Sequence, residues 1–317
     1  MQKRPLGRSG LEIAPLVFGG NVFGWTTDEP TGFRLLDGFV DAGLNAIDTA
    51  DVYSRWAPGH QGGESETVIG NWLRANPGKR EKVLILTKVG SDMGQGHRDL
   101  SAKWIETAVE NSLRRLNTDV IDLYQSHWPD PNTPHEETLR AYETLLKSGK
   151  VRAIGTSNYD AALLSESLKV AKEKGLPRYE SLQPKYNLYD REEFDGALRD
   201  LCVKEGIGVI SYYGLASGFL SGKYRSKEDL SKSKRGAGIE KYLTERGFRI
   251  LDALDQVAAN RGAKPAEVAL AWVIAREGVT APIASATSTE QLESLVRAVH
   301  LTLAPEDIAA LDAASAA

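Results

Sequence analysis

One pattern recurs along the whole chain: a short apolar run, a polar residue at its C-terminal end, then an amphipathic helix. The clearest copy is Ala46-Ile47-Asp48-Thr49-Ala50-Asp51-Val52-Tyr53, where a strand closes near Asp48 and Tyr53 falls on the loop behind it. Runs of the same kind span 16–20, 83–88, 120–127, 151–158, 181–187, 208–213 and 282–285. The spacing predicts helices over 31–42, 64–74, 101–116, 134–148, 160–174, 191–205, 245–260, 265–276 and 289–299, with glycines such as Gly149, Gly175 and Gly206 ending several of them. Parallel strands need crossover connections, and a helix supplies one. Repeated strand–helix units on one continuous chain predict an α/β fold, a closed (β/α)8 TIM barrel, rather than an open sheet. In such a barrel the strand C-termini converge on one face, where the chemistry is placed. Pro5 to Ile13 reads as an N-terminal β-hairpin and 305–314 as an extra C-terminal helix, giving a single domain over 1–317.

Composition narrows the function. The formal net charge is −4 and no basic block occurs, which argues against nucleic acid or an anionic membrane as partner. The N-terminus lacks an apolar signal-like run, and the longest apolar helix, near 267–275, is too short for a bilayer. Cys202 is the only cysteine, so no internal disulfide can form and a reduced, cytoplasmic setting is expected. His60, His97, His127, His135 and His300 show no metal-ligand spacing, so no metal is expected.

Asp48, Tyr53, Lys88 and His127 fall at the ends of consecutive strands and have acid–base character. A free phenol has a pKa of about 10. A lysine cation beside it favours the phenolate, and a buried lysine needs a counter-ion, which Asp48 supplies. A neighbouring histidine can orient a carbonyl oxygen. Each residue alone is commonly structural; together on one barrel face they suit reduction of a carbonyl or the reverse. Such chemistry needs a hydride source. No G-x-G-x-x-G follows a strand and no G-x-x-x-x-G-K-[ST] occurs. The glycine-rich run Gly214-Leu215-Ala216-Ser217-Gly218-Phe219-Leu220-Ser221-Gly222-Lys223 is the candidate cradle for a pyrophosphate. Trp25, Trp56 and Trp128 sit on loops of the same face and are candidates for a substrate pocket.

Taken together these residues resemble the aldo-keto reductases from end to end, including the group that contains potassium-channel beta subunits. Arg4-x-Leu6-Gly7-x-Ser9-Gly10-Leu11 is similar to the family's hairpin capping the barrel bottom. Asp48-Thr49-Ala50-x-x-Tyr53, Lys88 and His127 match its catalytic tetrad. The resemblance implies nicotinamide contacts from Ser157, Asn158 and Gln183, an aromatic stack from Tyr212, and a pyrophosphate clasp from Tyr213, Gly214, Leu215, Ser217, Gly218 and Lys223. It also implies cofactor contacts from Gly19, Gly20 and Asn21 near the nicotinamide and from Ser285, Ala286, Thr287 and Gln291 at the far end. The implied activity is NADP(H)-linked reduction of an aldehyde or ketone, or alcohol oxidation, with Tyr53 as acid and base.

The chain departs from the pattern in places. Gly214 stands where the clasp usually begins with proline, and Asn21 where an aromatic is common. Ser285 to Gln291 carries no cation against a 2′-phosphate, and Ser294-Leu295 replaces a Glu-Asn pair. Dual use of NADPH and NADH is therefore expected. The partner expected is a small carbonyl or alcohol, with monomer and homo-oligomer both open. Two other readings stand beside this one: a slow or non-catalytic nucleotide-sensing subunit, and a sugar lyase or isomerase, which needs a metal or phosphate site.

Overall fold

A computed structural model describes residues 2–232 and 236–316. The chain opens with a hairpin, β1 (Arg4–Pro5) paired antiparallel with β2 (Glu12–Ile13). Among the described residues, the remaining strands form one closed ring. They are β3 (Val17–Gly19), β4 (Ala46–Asp48), β5 (Leu84–Val89), β6 (Ile121–Ser126), β7 (Val151–Ser157), β8 (Ser181–Gln183), β9 (Gly208–Ser211) and β10 (Ala281–Ala284). Each pairs in parallel with its sequence neighbour, and β10 closes on β3, so the fold is a (β/α)8 barrel.

The crossover helices are α1 (Glu29–Asp41), α2 (Glu64–Ala75), α3 (Ala102–Leu116), α4 (His135–Lys147), α5 (Ala161–Lys174) and α6 (Ala197–Glu205). The second half adds α7 (Glu245–Arg261), α8 (Pro265–Ile274), α9 (Thr289–His300) and the terminal α10 (Pro305–Ser315). Local chemistry starts several of them: Asp28, Ser101, Asp160 and Ser288 each accept a backbone N–H of the first turn.

Strand alternation decides where the site lies. Val17, Ala46, Leu86, Leu123, Ala153, Ile210 and Ile283 point into the barrel and form its inner core with Leu6, Leu11 and Ile13 of the hairpin. The hairpin thus plugs the bottom. Its turn is pressed so close that a Cβ on Gly7, whose φ is +57°, would sit 2.2 Å from the Glu180 carbonyl oxygen. Two residues beyond the apolar layer, the same inward rows carry Gly19, Asp48, Lys88, Gln125, Gly155, Tyr212 and Ser285. Hydrophobic below and polar above, one periodicity builds both plug and site. Gly155 makes room there: a Cβ would meet Ser181 Oγ at 2.0 Å.

The wall is stitched unevenly. Leu86 to Val89 pair with Leu123 to Ser126, and Ile121 to Ser126 run beside Val151 to Thr156. Around the closure only Ile283 and Ala284 face Val17 and Phe18, and only Ala281 and Pro282 face Ile210 and Ser211. Pro282 has no N–H to give.

Some expected elements are shorter. The run 181–187 is a strand only to Gln183, where Pro184 follows without an N–H to give, and further on Asn187 Oδ1 accepts the amides of Tyr189 and Asp190 and turns the chain. The helix expected from 191 starts at Ala197, after Gly196 at φ +94°. After β9 the described residues form short 3-10 turns at Ala216–Ser221, Lys227–Lys232, Gly236–Gly238 and Glu240–Tyr242. Cys202 is fully buried and burial pushes its thiol up to about 12, so it is a small core residue without reactivity.

Candidate active site

β4 pairs in parallel with β5, Asp48 opposite Leu86, and Lys88 stands two residues further along on the same inward row. Lys88 Nζ lies 2.6 Å from Asp48 Oδ1, 2.7 Å from Tyr53 Oη and 2.9 Å from the Thr49 carbonyl oxygen. Its donors are therefore all engaged. Asp48 Oδ2 accepts from Gln183 Nε2 at 2.9 Å and from Gln125 Nε2 at 3.4 Å. Both charged side chains are only 1% exposed. A buried pair of this kind survives because hydrogen bonds satisfy its remaining lone pairs.

Burial, followed by the Asp48 carboxylate, pushes the Tyr53 phenol well above its usual range. Burial also pulls Lys88 down, against the opposing pull of Asp48. This differs from the effect of Lys88 alone, which favours the phenolate: desolvation and Asp48 win. Tyr53 stands protonated, with its oxygen accepting from Lys88.

His127 follows β6, and its ring meets Tyr53 edge-on at 5.9 Å between centroids. Burial, then Lys88 and Arg98, hold its imidazole well below the usual value, so the ring is neutral. Nδ1 lies 3.0 Å from Ser91 Oγ. The position of Ser91 behind the imidazole is not visible in the sequence, since it lies beyond the end of the neighbouring strand. Gln125 was hidden for a different reason: it reads as one more strand residue until β6 is seen facing Asp48.

From this floor a cleft of about 840 Å³ runs across the barrel top. One end is aromatic, with Trp56 and Trp128 above Tyr53 and His127. Trp56 is 49% exposed and Tyr213 48%. Trp25 meets Trp56 edge-on at 5.6 Å and lines a neighbouring shallow hollow, not this cleft. Gly19, Asn21, Ser157, Asn158, Gln183 and Tyr212 line the middle. Asn158 binds this region to the histidine: its Nδ2 donates to the His127 carbonyl oxygen at 2.9 Å and its Oδ1 accepts from Tyr212 Oη at 2.7 Å. Gly20 and Ala286 are buried and do not line the cleft.

Gly214, Leu215, Ser217, Gly218 and Lys223 line the outer half. Ala216, Ser217 and Gly218 all have positive φ, a sharp curl of backbone beside the groove. Beyond them stand Ser285, Thr287, Gln291, Ser294 and Leu295. Ser285 Oγ is 2.7 Å from both the Gly19 carbonyl oxygen and Asn21 Oδ1, so its single hydrogen is committed. Thr287 gives its amide and its hydroxyl to Gln291 Oε1. Lys264 and Arg297, the described cations on this wall, are engaged elsewhere: Lys264 bonds Glu290 and Arg297 bonds Glu267, each at 2.9 Å.

Among the described residues, no cluster of His, Cys, Asp or Glu is arranged for a metal ion, and no helix is long and apolar enough to cross a membrane.

Comparison with known proteins agrees with this geometry. The sequence profile of the Aldo/keto reductase family matches residues 15–316. The "Uncharacterized oxidoreductase YrpG" of Bacillus subtilis (strain 168) is 38% identical, with 96% of this chain and 93% of the relative aligned. The "L-glyceraldehyde 3-phosphate reductase" of Escherichia coli O157:H7 is 32% identical over 98% of this chain and 92% of the relative. The "Probable voltage-gated potassium channel subunit beta" of Oryza sativa subsp. japonica is 32% identical over 99% of this chain and 96% of the relative. A closed parallel barrel, an end-to-end family match and oxidoreductases among the relatives lead to one conclusion: this chain is a member of the aldo/keto reductase family.

Proposed function

We propose that this protein reduces a small aldehyde or ketone with NAD(P)H, with Tyr53 as the general acid, and oxidises the alcohol in reverse. The observation that carries the reading is the Lys88 ammonium, locked between Asp48 at 2.6 Å and the Tyr53 phenol at 2.7 Å on the floor of the cleft. When bound, the nicotinamide cofactor supplies or takes the hydride at the carbonyl carbon. The cleft suits a dinucleotide: glycine backbone and a curled loop flank a groove that reaches from Asp48 to Thr287, with Lys223 beside it. Ser157, Asn158 and Gln183 would hold the carboxamide, Tyr212 the ring face, and Gly214 to Lys223 the pyrophosphate.

Tyr53 holds the proton that the developing alkoxide needs. Lys88 lies against the phenol oxygen and stabilises the charge left there when the proton departs. Asp48 keeps Lys88 charged and in place. His127 is neutral; with Ser91 donating to Nδ1, Nε2–H is free to hold the carbonyl oxygen towards Tyr53. The aromatic end of the cleft favours an apolar, uncharged carbonyl compound. NADP(H) is the family's expected cofactor. Among the described residues, the engagement of Lys264 by Glu290 and of Arg297 by Glu267 leaves neither for a 2′-phosphate near Thr287 and Gln291, which supports acceptance of NAD(H) as well.

The test is a titration with NADPH and NADH in separate runs, read by nicotinamide fluorescence, beside turnover of a reactive aldehyde by wild type and Tyr53→Phe. Binding of both cofactors with turnover lost in the variant is expected. Binding without turnover in the wild type would replace the enzyme with a nucleotide-sensing subunit.

A further inference from the structure

Asp51 is 2% exposed, and neither of its carboxyl oxygens has a hydrogen-bond partner. It lies three residues past the strand that carries Asp48, and its amide donates to the Lys88 carbonyl oxygen. Its side chain faces the outer side of the wall, where β5, β6, α2 and α3 meet. The groups around it are Glu66 of α2, Lys88 of β5, Arg115 of α3, Tyr124 of β6 and Tyr142 of α4.

The charges in that layer are already matched. Glu66 accepts from Arg115 Nε at 2.7 Å and from Thr87 Oγ1 at 2.6 Å. Lys88 is matched by Asp48 at 2.6 Å. An ionised Asp51 would be a third carboxylate beside two occupied cations, with only the adjoining Val52 amide turned towards it, in the interior of the fold. A buried charge without donors is the costliest arrangement a protein can hold, and a carboxyl group escapes it by keeping its proton. Tyr124, also fully buried, has an unpartnered hydroxyl in the same layer.

We propose that Asp51 stands in the folded protein as a neutral carboxylic acid and acts as a positioning residue, its proton keeping a third negative charge off the back of the Lys88–Tyr53 pair. The positioning half rests on the reading of Tyr53 as the acid and base. Burial first, then Glu66, push the Asp51 carboxyl well above the usual range, outweighing Arg115, the Val52 amide and Lys88. The direction of its effect follows from charge. If Asp51 loses its proton, the new anion holds the Tyr53 proton more tightly, which disfavours the phenolate that alcohol oxidation requires. Reduction, which starts from the protonated phenol, is less exposed to this.

The experiment labels aspartate carboxyl carbons and tyrosine rings with carbon-13 and follows both by NMR as pH rises. The wild type is expected to show one aspartate signal at the neutral-acid position at pH ~7, where an ordinary aspartate of pKa about 3.9 is ionised. That signal disappears in Asp51→Asn, which also moves Tyr53 ionisation to lower pH and lifts alcohol oxidation at alkaline pH by about tenfold relative to wild type, one pKa unit of interaction. If Asp51→Asn does not fold, Glu66→Gln serves: the wild-type signal then titrates at lower pH. Absence of any neutral aspartate signal in the wild type overturns the proposal, as does Tyr53 titrating identically in wild type and Asp51→Asn. Both signals are read without substrate, so a wild type that fails to turn over would count against the reductase reading and leave this test intact.

Discussion

At the inner end of the cleft every polar atom of Asp48 and Lys88 is engaged, by Tyr53, Thr49, Gln125, Gln183 and one another. At the outer end the Gln291 side chain accepts from Thr287, on the surface, and Lys264 and Arg297 are tied to acidic neighbours. The inner end is buried, charged and over-determined. The outer end is open and held by few bonds. A buried ion pair allows few substitutions because each lost partner leaves an uncompensated charge. An exposed hydroxyl–amide contact allows many. On the proposed function the two ends would answer different questions: the floor would fix the kind of reaction, and the far wall would set which nucleotide is preferred. They should respond separately to mutation.

The largest effect is expected at the floor. Tyr53→Phe removes the proton donor and should lower kcat by about 10³-fold, within the usual range for a lost general acid, with nucleotide affinity unchanged. Loss of nucleotide binding in that variant would break the separation of the two ends. Lys88→Met leaves Asp48 buried without its counter-ion and should cost about 3–5 kcal/mol of stability in a denaturant titration, besides most of the activity. At the far wall, Gln291→Arg should raise the NADPH-to-NADH ratio of kcat/KM by about tenfold, the effect of one charge-assisted bond, while kcat for a common aldehyde stays put. A fall in kcat with both cofactors would show that the far wall reaches the chemistry. Trp56→Ala should raise KM for an aromatic aldehyde several-fold, whereas Trp25→Ala, which removes the ring that meets Trp56 edge-on from outside the cleft, should change it about twofold at most.

The smallest expected effect is a pH dependence that does not appear. His127 is harder to protonate in the folded chain than in the unfolded one. Its contribution to stability is present above the unfolded value of about 6.5 and is lost as pH falls through the folded value. KM for the aldehyde should therefore stay flat from pH ~6 to ~8. An inflection near the free histidine value would show that the ring titrates normally.

The barrel was legible because its strands keep period two and its helices carry their own stop signals. The family match confirms it from residue 15 onward. The polar ends of β4, β5 and the run to His127 could be placed on one face from the same periodicity, and their mutual distances support the roles suggested for them. What the sequence did not reveal depends on contacts across strands. Gln125 becomes a partner of Asp48 only once β6 and β8 are seen to converge. Ser91 is hidden by its loop. Trp25 fell behind Trp56 because loop aromatics have no periodicity to orient them. The start of α6 moved to Ala197 because the chain passes through Gly196 at φ +94° just before it, a backbone conformation that composition alone cannot show.

The uneven stitching of the wall has a consequence in time rather than in space. Strands held by few amide bonds open locally at lower free energy than strands held by many. Amide exchange should thus be fastest around β9, β10 and β3 and slowest in β6. The loops after β9 and β10 are those that would grip the nucleotide, whereas Lys88 and His127 stand on the densely paired side. Loading and release would then draw on the part of the barrel that breathes, and a bound dinucleotide should slow exchange at Gly208–Ser211 and Ala281–Ala284 far more than at Ile121–Ser126.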